Sequence, residues 1–167
     1  MEPMGKVLMI NHEKCTGCRL CELVCSVYHD GVSNAARSRI KIMKWETEGR
    51  YIPTSCQQCQ DAPCLNVCPV KAISRDEEMG RVMVNYDVCI GCRSCVTVCP
   101  FGAMSFNVID RKVFKCDLCD GEPQCVRFCD RKAVDFVSPD EVSIDKRRTA
   151  AERLSRAVKD GEGIIGK

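Results

Sequence analysis

The chain is poor in histidine and in aromatic residues. Its histidines number two, His12 and His29, and it has a single tryptophan, Trp45, among 5% aromatics. No stretch approaches the roughly 18 consecutive apolar residues that a membrane span needs. The one apolar run near the N-terminus, Val7 to Ile10, is too short for a secretory signal, and no small-residue cleavage site follows it. A formal charge of +2 is too small to point to a nucleic-acid partner. These absences predict a cytoplasmic protein in a reducing compartment, with no membrane anchor of its own. With 167 residues there is room for one compact body and little more.

What the chain has in excess is cysteine, 16 in all. In a reducing compartment clustered cysteines bind metal more often than they form disulfides. They fall into four runs. Cys15, Cys18, Cys21 and Cys25 read C-x2-C-x2-C-x3-C, and so do Cys89, Cys92, Cys95 and Cys99. Cys56, Cys59, Cys64 and Cys68 read C-x2-C-x4-C-x3-C, and Cys116, Cys119, Cys125 and Cys129 read C-x2-C-x5-C-x3-C. The order is therefore A, B, A, B, and no cysteine is left over.

Three thiolates in one tight loop suit three corners of an iron–sulfur cube. The fourth, out of step and read as opening a helix that leads away, suits a different cube. In two-cluster ferredoxins of the bacterial kind the last cysteine of each run ligates the other cluster. Structural zinc prefers two C-x2-C pairs about 12 to 20 residues apart, which is not this spacing. At four ligands per cluster, 16 cysteines predict four [4Fe-4S] clusters as the cofactors. With all the cysteines used, His12 and His29 are read as surface or packing residues.

Flanking residues agree. Gly17 and Gly91 lie inside the first C-x2-C of the A runs, where backbone must approach sulfide closely. Pro69 and Pro100 directly follow the last cysteine of the second and third runs, whereas the outer runs end Cys25-Ser26 and Cys129-Asp130. Leu20, Leu23, Val24, Val67, Val70, Ile73, Ile90, Val96, Val98 and Phe101 are expected to form an ordinary dry core around the clusters. Lys14, Arg19, Lys71, Arg93, Lys115 and Arg127 flank the loops, either offsetting cluster charge or serving solubility. Four thiolates around a core of about +2 leave roughly −2 per cluster, which brings the loaded protein to about −6.

Patterning predicts a strand over Lys6 to Asn11 and a short helix over 19–28. Hairpins are expected around Met79-Gly80 and Asp110-Arg111, and a last strand over 133–137. The cysteine-free segment 26–55 reads as an insertion covering one side, with Trp45 packing. Ser138-Pro139-Asp140-Glu141 resembles a capping box, followed by a helix with Gly161 as its stop and a flexible end over 161–167.

Across residues 4 to about 137 the four runs resemble the four-cluster iron–sulfur subunits of molybdenum- or tungsten-pterin oxidoreductases. The stretches EKCTGCRLCELVCSVYHDG and CQQCQDAPCLNVCPVKAI look most like the small subunits of tungsten aldehyde oxidoreductases and the related benzoyl-CoA reductase assemblies. The resemblance implies an α+β fold, a double ferredoxin-like body with pseudo-twofold symmetry over 1–137, to which the capping box and helical spacing add a C-terminal helical arm over 138–167. It implies nested pairing, Cys15, Cys18 and Cys21 with Cys129, and Cys116, Cys119 and Cys125 with Cys25. Likewise it joins Cys56, Cys59 and Cys64 with Cys99, and Cys89, Cys92 and Cys95 with Cys68.

The expected function is electron transfer without catalysis, since iron fully ligated by cysteine has no open site. The expected partner is a large catalytic subunit carrying a tungsten or molybdenum pterin. A flavin or NAD-reducing subunit, or a ferredoxin, would be the next carrier, and the C-terminal arm offers a route to self-assembly. The alternatives are a free polyferredoxin shuttling electrons among soluble enzymes and a zinc-stabilised interaction module.

Overall fold

The structure, a computed structural model, describes residues 5–165, and for parts of the terminal helix only its backbone course. Strand β1 (Val7–Ile10) leads into the first cysteine run and α1 (Leu20–Asp30) leaves it. A hairpin of β2 (Ile40–Trp45) and β3 (Arg50–Ser55) follows. The middle of the chain holds α2 (Pro63–Asn66), β4 (Ile73–Arg75), β5 (Val82–Val84) and α3 (Ser94–Val98). Then come β6 (Ser105–Asn107), β7 (Lys112–Phe114), α4 (Gln124–Arg127), β8 (Val134–Val137) and α5 (Pro139–Ile165).

All pairing is antiparallel and two-stranded: β1 with β8, β2 with β3, β4 with β5, β6 with β7. The first pair joins sequence extremes, with Val7 opposite Val137 and Ile10 opposite Val134. Helix α1 packs on α4, and α2 on α3. There are accordingly two cores. One gathers Cys21, Cys25, Ile40, Ile42, Cys125 and Val134, and the other Ala62, Ile73, Val82, Cys95, Met104 and Val113. The outer runs, first and fourth, share one half, and the inner runs share the other.

The segment 26–55 holds more order than its lack of cysteine suggests. Its first residues continue α1 to Asp30, where Gly31 at φ 68° ends the helix. The alternation Ile-Lys-Ile in β2 turns Ile40 and Ile42 inward. Pro53 is tolerated in β3 because a two-stranded sheet leaves an edge with no donor to supply. Glu22, only 2% exposed, ties the hairpin down: its Oε1 accepts from the Ile42 amide at 2.8 Å and its Oε2 pairs with Arg19. Trp45 does not pack inside. It is exposed, with the Arg50 guanidinium 4.8 Å over its ring.

Two further expectations need correcting. Of the residues expected to form a dry shell, Ile73 is buried, but Leu20, Leu23, Val67, Ile90, Val98 and Phe101 are exposed. On α1 and α3 cysteine takes part of the inward face, and Leu20, Leu23 and Val98 point out. The terminal helix begins as expected, with Ser138 and Glu141 exchanging amide bonds at 3.3 and 3.4 Å. It does not stop at Gly161. Glycine costs a helix about 1 kcal/mol relative to alanine without forbidding it, and α5 continues to Ile165. Lys167 and its neighbour lie outside the described residues. Among the described residues no helix is long and apolar enough to cross a membrane.

Candidate metal centres

Each run curls because particular residues take left-handed backbone. In the first run these are Gly17 at φ 71° and Arg19 at 62°, and in the third Gly91 and Arg93, both at 67°. Glycine is needed for a reason beyond close approach to sulfide. A Cβ on Gly17 would lie 2.5 Å from the Tyr51 ring, and one on Gly91 would overlap the Arg111 carbonyl oxygen. Hairpins β2–β3 and β6–β7 thus press against the two A loops. The helices open earlier than expected from sequence. The third cysteine of each run, Cys21, Cys64, Cys95 or Cys125, lies within a helix; the fourth follows at its end or, for Cys25, in its middle.

The cysteines come together in fours. Cys15, Cys18, Cys21 and Cys129 line one cavity of about 170 Å³. Cys56, Cys59, Cys64 and Cys99 line a second, and Cys68, Cys89, Cys92 and Cys95 a third. Cys125 is surrounded by Cys116, Cys119 and Cys25, each raising its pKa. The groups adjoin one another in order, forming a row. Cys21 shares a core with Cys25 and Cys125 of the next group, Gln58 beside Cys59 of the following group bonds the Cys116 carbonyl, and Cys64 of that group shares a core with Cys95 of the last.

Burial and mutual repulsion act strongly on these thiols. Desolvation pushes Cys21 and Cys116 up from 9.0 to about 12, and Cys95 and Cys119 to about 11. Cys125 and Cys64 are raised by the same cause. Cys92, exposed at one end of the row, is instead pulled down by the Ser94 hydroxyl at 3.5 Å. Four thiolates in one such pocket require a polycation among them.

The backbone supplies donors to sulfur as well. The amides of Ala72, Ala103 and Ala133 donate to Cys68, Cys99 and Cys129 Sγ at 3.2, 3.3 and 3.3 Å. Each alanine lies four residues after its cysteine and follows a left-handed residue, Lys71, Gly102 or Lys132. Cys25 sits inside a continuing helix and takes its donor from the Arg39 amide at 3.2 Å. The Arg39 Nε and Nη1 atoms are buried without a partner, while its charge lowers the Cys119 pKa. Unpaired donors beside four sulfur ligands fit a cluster whose sulfides accept hydrogen bonds.

Sequence reasoning missed Arg39 and Gln58, which no spacing rule singles out. It also placed His29 too lightly. Its side chain is 8% exposed, and Nε2 lies 3.5 Å from both Cys119 Sγ and Asp117 Oδ1. His12 is exposed. Of the six flanking cations, Lys14, Arg19, Lys71, Arg93 and Arg127 are exposed, while Lys115 is buried.

Paired runs of cysteine in two cores define an iron–sulfur protein. Residues 47–139 match the family model described as a 4Fe-4S dicluster domain, and residues 12–28 one described as a 4Fe-4S binding domain. The chain belongs to this family. It is 43% identical over 122 residues to the "Aliphatic sulfonate oxidoreductase, polyferredoxin-like subunit" of Pyrococcus furiosus, covering 73% of this chain and 70% of the relative. It is 40% identical to the "Putative electron transport protein YsaA" of Escherichia coli, covering 87% and 98%. The B subunit of anaerobic dimethyl sulfoxide reductase from Escherichia coli is 36% identical, with 80% and 73% covered. Among solved structures, the active site complex BamBC of benzoyl-CoA reductase includes a similar chain at TM-score 0.49 and 23% identity, with 92% and 96% covered. The protein is an iron–sulfur electron-transfer protein, and its 16 cysteines provide for four [4Fe-4S] clusters.

Proposed function

We propose that this chain is the non-catalytic electron-transfer subunit of a tungsten- or molybdenum-pterin oxidoreductase, and that all 16 cysteines are cluster ligands. Cys15, Cys18, Cys21 and Cys129 hold one cluster, and Cys25, Cys116, Cys119 and Cys125 the next. Cys56, Cys59, Cys64 and Cys99 hold the third, and Cys68, Cys89, Cys92 and Cys95 the last. When bound, each cluster supplies one-electron redox chemistry. Residues 1–137 form the double ferredoxin-like body, and 138–167 the arm that docks on a partner or a second copy.

The single observation that carries this reading is the row of four cysteine groups with its exposed thiols at the ends. Cys18 is exposed in the first group and Cys92 in the last, whereas Cys25, Cys116, Cys119 and Cys125 in the second are all buried. Such a row offers a partner contact at each end and shields its second group from water. With every thiol committed as a ligand, the chain has no open coordination position for a substrate, which assigns the chemistry to a second subunit.

The test is metal analysis of the protein purified without oxygen from its native host, with copurifying chains retained. About sixteen irons per chain, together with tungsten or molybdenum in a large second subunit, is the expected result. The same iron with no partner would make it a free polyferredoxin. Zinc in place of iron would overturn both.

A further inference from the structure

Lysine is almost never buried without a counter-charge, yet Lys115 is 3% exposed. Its Nζ donates to the Cys116 carbonyl at 2.7 Å, to Gln58 Oε1 at 3.3 Å, and to the Val82 carbonyl. Among the described residues no carboxylate pairs with it. The surroundings hold it rigidly: Gln58 Nε2 donates to the Cys116 carbonyl at 2.8 Å, and Gln58 Oε1 accepts the Val82 amide at 2.9 Å. Gln58 lies in the second run and Lys115 beside the fourth, so this knot joins the two halves.

The ammonium stands between two cysteine groups. Lys115 lines the cavity of Cys56, Cys59, Cys64 and Cys99, and is adjacent in sequence to Cys116 of the neighbouring group. At the ends of the row the nearby cations are exposed to water, as with Arg19, paired to Glu22, and Arg93, stacked 3.9 Å over Phe106. Water screens those charges; it does not screen Lys115. Asp117 and Arg39 also face the Cys116 group, with opposite signs.

We propose that Lys115 is the shared counter-cation of the two middle clusters, raising the reduction potentials of both and keeping electron passage between the halves level. A cluster at about −2 becomes more negative when it accepts an electron, and a buried cation stabilises that added charge. Because one ammonium faces both clusters, it moves their potentials together. The inference rests on the cluster assignment proposed above.

The test is a redox titration, followed by electron paramagnetic resonance, of the loaded wild-type chain and of Lys115→Met and Lys115→Arg. In Lys115→Met two of the four clusters should become harder to reduce, their reduction equilibria falling about tenfold or more, ~59 mV for one electron. The other two should stay where they were, and Lys115→Arg should remain near wild type. Unmoved potentials at full iron content, or an equal shift of all four, would overturn the proposal. Should Lys115→Met fail to retain iron, Gln58→Glu places a carboxylate beside Nζ; the same two clusters must then shift, and no shift overturns the proposal. Fewer than four clusters in the wild-type chain would instead refute the ligand assignment, before any variant is made.

Discussion

The Arg39 amide donates to Cys25 Sγ from 14 residues away, the one long-range member of a set of four. In the other runs the donor is the amide four residues after the last cysteine. The difference originates in where the helix ends relative to that cysteine. Helices α2 and α3 end at Asn66 and Val98, before Cys68 and Cys99, the prolines that follow bar any further helix, and the chain turns at Lys71 and Gly102 so that an alanine amide meets the sulfur. After Cys129 the helix has already ended at Arg127, and the chain turns at Lys132. Ser26 follows Cys25, α1 runs on to Asp30, and the donor has to return from beyond Gly31.

Ser26→Pro tests this directly. The substitution places proline inside α1 and removes the Ser26 hydroxyl, which is fully buried, donates to the Leu23 carbonyl at 2.8 Å and accepts the Asn34 amide at 3.0 Å. We expect a loss of about 3 kcal/mol or more, read from denaturant unfolding of the loaded protein. A change below about 1 kcal/mol would show that helix continuity past Cys25 does not matter.

Cys25→Ser tests the crossing of ligands between runs. The cluster of Cys116, Cys119 and Cys125 should be damaged, converting to a three-iron signal or losing iron. The cluster of Cys15, Cys18, Cys21 and Cys129 should survive. Damage confined to the latter would show that each run keeps its own fourth ligand.

Gly91→Ala should destabilise through two causes acting together. Left-handed backbone costs a non-glycine residue about 1–2 kcal/mol, and overpacking typically adds about 1–3 kcal/mol. The added carbon meets a backbone oxygen, that of Arg111, which cannot swing aside as a flexible side chain would. A melting temperature unchanged from wild type would contradict this.

Removing the metal should abolish most of the fold. Cysteine forms part of both cores, Cys21, Cys25 and Cys125 in one and Cys95 in the other, and the helices α2, α3 and α4 are too short to stand alone. Anaerobic chelation followed by circular dichroism should show loss of native signal and of a cooperative melt. A sharp transition in the stripped chain would refute metal-driven folding.

Metal uptake should depend on pH with a definite sign. Burial in the folded loops raises the Cys21 and Cys116 thiols from 9.0 to about 12, so they carry protons until iron displaces them. Apparent affinity for ferrous iron should therefore increase from about pH 7 to about pH 9, with protons released into solution on binding. Affinity independent of pH would mean that the thiols are already ionised.

The hairpins around Gly80 and Asp110, the first and last strands and the cap at Ser138 were all legible, because alternation, turn residues and capping residues act within a few positions. The hairpin in 26–55 carried its own signal in the Ile-Lys-Ile alternation of β2, obscured by Pro53 in the partner strand. Gly161 misled, since propensity alone is a weak guide to where a helix stops.

The sequence by itself determined the chemistry: four runs of four cysteines at ligand spacing name the class of metal centre without any coordinates. Only the tertiary structure decided which thiols share a pocket, that these pockets stand in a row, and that Arg39 and Lys115 lie against them, with Gln58 holding Lys115 in place. Spacing acts through short loops and can be read from neighbours along the chain. Burial and charge act through space, and residues as far apart in sequence as Gln58 and Lys115 meet only once the two halves have packed.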